Sequence, residues 1–193
     1  MLADGLGGHA AGEVASALAI EILRPMIASL RTDRDIAEAI STADTALYLA
    51  MEQYPACHGM GTTIAGVLMA DEEAVIFNLG YSRIYSLTGS SLMQLSTDDV
   101  VEGNMLTQCL GGAQEQIRLV PHIVRFRLQA STAFLLCSDG LSDLLSDTDI
   151  ARILNGRPAN PAAALVDAAN KAGGHDNVSV IVIGHRTESH PHH

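Results

Sequence analysis

The sequence predicts an α+β fold, a layered sandwich with helices outside two antiparallel sheets. Three observations carry this reading. Two helical segments come first, and a run of short strands joined by tight turns follows them. The alternating β-α units of a doubly wound parallel sheet are missing. The chain has 193 residues, 48 % of them hydrophobic, which suits one domain with a real core. No linker or internal repeat divides it, so a single domain over 1–184 is expected, with a polar, histidine-rich tail over 185–193.

Ala11, Val14, Ala15, Leu18 and Ile22 recur at helical spacing, and Arg24-Pro25 closes that helix. A second helix runs from Asp35 to about Tyr54, ahead of Pro55, with Thr32 or Asp33 as its cap. Four strands follow: Thr62 to Met69, Ala74 to Leu79, Arg83 to Leu87 and Leu92 to Leu95. Asp71-Glu72-Glu73, Gly80 and Thr88-Gly89-Ser90-Ser91 separate them as turns. Two more strands are expected over Ile117 to Arg127 and Thr132 to Cys137. Then come a short helix over Asp147 to Leu154 capped by Ser146, and a longer one over Pro161 to Ala172 with proline in its first turn. Gly173-Gly174 stops that helix, and Val178 to Ile183 is the last strand.

Twenty-two acidic against 11 basic residues leave a net charge of −11. Nonspecific binding to nucleic acid or to an anionic membrane needs clustered Lys and Arg, so neither partner is expected. Cation binding fits better. No apolar run approaches the ~20 residues of a membrane span, and the first residues carry no secretory pattern. Cys57, Cys109 and Cys137 form an odd, widely spaced set, which predicts reduced thiols in a cytoplasmic protein. Cys137 lies in an apolar run with no basic neighbour, so it is expected to be buried rather than nucleophilic.

Three acidic corners stand out: Asp4-Gly5, Asp139-Gly140 and Asp176-Asn177. Each sets a carboxylate at a strand end beside residues that tolerate unusual backbone angles. Singly, each is an ordinary turn. Strand ends of one sheet can converge, however, and three carboxylates that met would repel strongly unless cations neutralised them. Hard divalent ions with oxygen ligands, Mg2+ or Mn2+, are the natural partners.

The flanks of these corners carry a resemblance. Asp4-Gly5-Leu6-Gly7-Gly8-His9 with Ala11-Gly12-Glu13 is similar to the opening motif of the PPM family, the metal-dependent serine/threonine phosphatases of the protein phosphatase two-C type, in their bacterial form. Gly61-Thr62-Thr63, Asn78-Leu79-Gly80-Tyr81-Ser82-Arg83 and Leu106-Thr107-Gln108-Cys109-Leu110-Gly111 resemble further motifs of that family. So do Ser138-Asp139-Gly140-Leu141 and Asp176-Asn177-Val178-Ser179-Val180, in the same order. The resemblance implies a four-layer αββα sandwich with a binuclear Mg2+ or Mn2+ centre. Asp4 would bridge both ions, the Gly5 carbonyl would hold the second, and Asp139 and Asp176 the first. It further implies hydrolysis of phosphoserine and phosphothreonine in proteins by a metal-activated water, and a cognate Ser/Thr kinase as a partner.

Three departures from the family pattern shape the expectations. Only three residues precede Asp4, where the family has about one hairpin supplying a phosphate-gripping arginine and a further acidic ligand; the site is expected to be short at that end. Tyr81 stands where the family has an aspartate that helps bind a third ion, so that site is expected to be lost or rebuilt. The stretch from Leu95 to Thr107 is short for the family's flap, and Asp98 and Asp99 within it read as solvated loop charges. These departures keep open an alternative, a catalytically impaired phosphatase-like regulatory or binding domain.

Other readings are weaker. Gly5 to Ala10 fits a loose nucleotide-binding fingerprint, but the βαβ context it needs is missing. His9 reads as a local hydrogen bonder, and His190, His192 and His193 as part of the tail. Arg83 reads as an anchor of its turn, ahead of a phosphate contact.

Overall fold

In the computed structural model, residues 1–6, 11–70, 72–101, 105–129 and 131–184 are described. His9 and the tail lie outside these residues.

Helix α1 (Gly12–Leu23) buries Ala15, Ala19 and Leu23, four residues apart and so on one face. The α-helix ends at Leu23, just before Arg24-Pro25, as expected, but the chain does not straighten there. It tightens into a 3-10 helix over Arg24–Ser29, because proline is tolerated in a first turn. Helix α2 (Asp33–Gln53) opens with a capping box: the Thr32 hydroxyl accepts from the Asp35 amide, and the Asp35 carboxylate accepts from the Thr32 amide. The later helices are α3 (Asp139–Ser142), α4 (Asp147–Asn155), capped by Ser146, and α5 (Pro161–Lys171), capped by Asn160.

In chain order the strands are β1 (Gly61–Thr62), β2 (Ile64–Ala70), β3 (Glu73–Leu79), β4 (Arg83–Thr88), β5 (Ser91–Gln94) and β6 (Val100–Val101). They continue as β7 (Met105–Leu106), β8 (Leu110–Gly111), β9 (His122–Arg127), β10 (Ala133–Cys137) and β11 (Val180–Gly184). One sheet runs β2-β3-β9 and the other β11-β10-β4-β5, both antiparallel; β1 pairs with β8, and β6 with β7. Residues 2–6 lie along 61–65, with Leu2 bridged to Ala65 and Gly5 to Thr62.

The two-residue period of the strands sorts side chains into three cores. Phe134 and Leu136 of β10 meet Ala74 and Ile76 of β3, Ile84 of β4 and Leu2 between the sheets. There the Phe126 and Phe134 rings meet edge to face, with centroids 5.8 Å apart. Leu135 and Cys137 point the other way, onto Leu141, Ile150 and Leu165 of the α3–α5 layer. Phe77 and Leu79 of β3 face Ile40 and Leu47 of α2 and Ala19 of α1. Three stacked cores make four layers, αββα.

Two expected strands change. The predicted Thr62–Met69 strand breaks at Thr63, whose amide and hydroxyl are drawn to Asp4 and Ser82. The strand expected from Ile117 begins only at His122: Pro121 lacks the amide hydrogen, and Ile117 and Val120 remain 53 % and 59 % exposed.

Candidate metal centre

Asp4 is set by its neighbours' backbone and hydroxyls. Its amide donates to Thr63 Oγ1 (3.1 Å), and its carbonyl accepts from the Thr63 amide (2.9 Å) and Thr62 Oγ1 (2.9 Å). Thr63 Oγ1 also bonds Ser82 Oγ at 2.6 Å, tying this corner to the turn before β4. Gly5 lies against Gly12 at the start of α1; a β-carbon on Gly5 would fall 2.2 Å from the Gly12 carbonyl oxygen.

Asp139 is placed by Ser138, the residue between β10 and α3. The Ser138 amide donates to the Ser179 carbonyl (3.1 Å), and Ser138 Oγ accepts from the Ser179 amide (3.0 Å). The Ser138 hydroxyl also donates to the Asn177 carbonyl (3.3 Å). A β-carbon on Gly140 would fall 2.3 Å from that same carbonyl oxygen, so glycine permits the close approach of the Asp139 and Asp176 corners.

The carboxyl groups of Asp4 and Asp139 come within hydrogen-bonding reach of each other. Burial pushes the Asp4 carboxyl up to about 7, helped by the charges of Asp139 and Asp176 and by the hydrogen bond with Asp139. Burial also raises Asp139, against the lowering effect of its bond to Asp4, with Asp176 and Asp143 adding repulsion. Asp176 acts on both through space but is exposed, and its Oδ1 accepts from the Asn177 amide at 2.7 Å. The structure therefore joins two of the three carboxylates and leaves the third at longer range. Among the described residues, no three Asp, Glu, His or Cys side chains close into a finished cage.

One observation tests whether these groups suit a divalent cation. Asp139 Oδ1 is buried with no hydrogen-bond partner. A carboxylate oxygen is rarely left so without an ion or water to satisfy it. Beside a second carboxyl, it fits a hard cation that takes oxygen ligands.

The surroundings correct the reading of Asp98 and Asp99 as solvated charges. Asp98 receives Arg83 Nε and Nη2 on Oδ2 at 3.0 and 2.7 Å. Arg83 thus anchors its turn, as expected. Asp99 is 6 % exposed. Its Oδ2 accepts from the Gly80 amide (2.8 Å), while Oδ1 meets Gln108 Nε2 (3.0 Å) and His122 Nε2 (2.8 Å). Asp143, not singled out in the sequence, stands one helical turn after Asp139 and accepts from the Tyr81 hydroxyl at 2.8 Å. Its spacing of four from Asp139 was the available signal. Cys137 is fully buried as expected, and burial pushes its thiol up to about 12.

A four-layer αββα sandwich with acidic corners at its strand ends defines a class of proteins, and comparison gives the family. A family model described as protein phosphatase 2C matches residues 1–169, and the chain belongs to that family. The serine/threonine protein phosphatase PstP of Mycobacterium tuberculosis is 34 % identical over 204 residues, covering 94 % of this chain and 39 % of PstP. The chain thus spans well under half the length of that relative. The serine/threonine phosphatase stp of Listeria monocytogenes is 29 % identical over 211 residues, covering 95 % of this chain and 82 % of its own. Among solved structures, the Mycobacterium tuberculosis phosphatase PstP/Ppp superposes with a TM-score of 0.83 at 31 % identity, over 94 % of this chain and 85 % of that one. The catalytic domain of PstP in complex with two manganese ions gives 0.80 at 34 % identity, over 94 % and 84 %.

Proposed function

We propose that this chain hydrolyses phosphoserine and phosphothreonine in proteins at a binuclear Mn2+ or Mg2+ centre held by Asp4, the Gly5 carbonyl, Asp139 and Asp176. The unpartnered, buried Asp139 oxygen against the Asp4 carboxyl carries the reading. Kinship with serine/threonine phosphatases, one of them solved with two manganese ions, supports it. When bound, the ions supply an activated water and positive charge for the phosphoryl oxygens. The chain's own part is to release the proton that burial favours on Asp4, to fix the Asp4 backbone through Thr62 and Thr63 and the Asp139 corner through Ser138, and to swing Asp176 in from its Asn177 amide. The phosphorylated substrate would come from a Ser/Thr kinase. Free cysteines fit a reducing compartment, the cytoplasm; among the described residues, no helix is long and apolar enough to cross a membrane.

The test is hydrolysis of a generic phosphoester and of a phosphothreonine peptide with and without Mn2+. Turnover should require the ion and fall on the order of a hundredfold or more in Asp139→Ala, at least the loss usual for disturbing a metal ligand's support. Turnover that ignores Mn2+ rejects the proposal. One observation favours a second reading, a catalytically impaired regulatory domain: Asp176 is engaged by its own chain. Calorimetric titration separates the two, since tight uptake of two Mn2+ ions speaks against impairment.

A further inference from the structure

Asp143 begins the turn that follows α3, its amide donating to the Asp139 carbonyl at 2.8 Å, and its charge acts on the Asp139 carboxylate. A fourth carboxylate so close to the candidate ligands would strengthen their hold on a cation if it turned to them. It is instead engaged by the Tyr81 hydroxyl, which donates to Asp143 Oδ1 at 2.8 Å. Tyr81 is itself held. The Arg83 guanidinium carbon lies 5.2 Å from the Tyr81 ring centroid, and Nη2 donates to the phenol oxygen at 3.4 Å. Arg83 in turn is forked onto Asp98, and Asp98 Oδ1 also accepts from Gln94 Nε2 at 2.8 Å. Asp99 fixes the backbone of the same turn through the Gly80 amide. The phenol is thus aimed by a chain of contacts that starts in the sheet. Burial pushes it up to about 12, so it stays a neutral donor at every working pH.

We propose that Tyr81 is a positioning residue that withholds the Asp143 carboxylate from cations held at Asp139, and so sets a lower metal affinity than the acidic residues around the site allow. This rests on the metal-centre reading above. A cation that recruits Asp143 must first break a hydrogen bond to a charged group, and removing the hydroxyl removes that competition.

The experiment is calorimetric titration of the metal-free protein with Mn2+, with a melting curve for each variant. Tyr81→Phe keeps the ring and loses the hydroxyl; its Mn2+ affinity should rise about tenfold, the equivalent of one charged hydrogen bond. Tyr81→Phe combined with Asp143→Asn should return to the wild-type value. Asp143→Asn alone should stay within about twofold of wild type, because Asp143 does not serve the ion while Tyr81 holds it. An unchanged affinity in Tyr81→Phe, a gain that survives in the double variant, or a tenfold loss in Asp143→Asn alone overturns the inference. The last arm decides even if Tyr81→Phe folds poorly. Wild-type protein that takes up no Mn2+ defeats the metal centre itself, whereas normal uptake abolished by Asp139→Ala but indifferent to Tyr81 defeats this inference alone.

Discussion

Two carboxyl groups in contact, one of them raised by burial, impose a definite pH dependence. Asp4 is pushed from its ordinary 3.8 up to about 7, so across that window the folded, metal-free chain binds more protons there than the unfolded chain does. Its contribution to stability is therefore fully present below the lower value, lost as pH rises between the two, and flat above. A cation must displace the same proton, so Mn2+ affinity should rise with pH by up to about tenfold per unit below about 7 and then level off. Titration at several pH values checks this; an affinity that stays flat through the acidic side contradicts it. The three corner aspartates were legible because each stands next to glycine or asparagine at the end of an apolar run. Asp143 offered only its spacing of four from Asp139; its engagement by Tyr81, 62 residues away, was not legible, because only packing brings the two together.

Among the elements, the segment between β5 and β6 departs furthest from expectation. Asp99 there gathers the Gly80 amide, Gln108 and His122, joining β4's turn, the β7–β8 link and β9. Asp99→Ala strands these donors, at a cost of about 3 kcal/mol for a buried carboxylate serving several partners. For a chain of this size that lowers Tm by about 10 °C. Scanning calorimetry measures it, and a fall smaller than a couple of degrees would show Asp99 to be the solvated charge its sequence suggested. Helices were read well by contrast: Thr32 and Ser146 announce their starts through local chemistry, and apolar spacing shows the buried face. The stretch from Ile117 misled because apolar residues can remain exposed where proline denies them a sheet partner.

For the molecule as a whole, the meeting of the acidic corners depends on how closely the ends of β10 and β11 approach. Gly140→Ala places a methyl group against the Asn177 carbonyl and should force the Asp139 and Asp176 corners apart, weakening Mn2+ binding by at least about tenfold, one pKa unit's worth of interaction. Gly89→Ala is the control. Gly89 has φ +61 at a turn with open space around it, so alanine there costs about 1 kcal/mol of backbone strain and should leave Mn2+ binding alone. Equal effects on metal binding in both variants would show a general loss of stability instead. The amino-acid sequence by itself determined the order and type of the long elements, the αββα layering implied by its motifs, and the identity of the corner aspartates, because periodicity and turn chemistry act over a few residues. Only the tertiary structure decided that Asp4 touches Asp139 while Asp176 stands off, that Asp99 is buried, and that Tyr81 occupies Asp143. Those outcomes turn on fractions of an ångström between strands distant in the chain, and on which buried polar groups find each other once water is excluded.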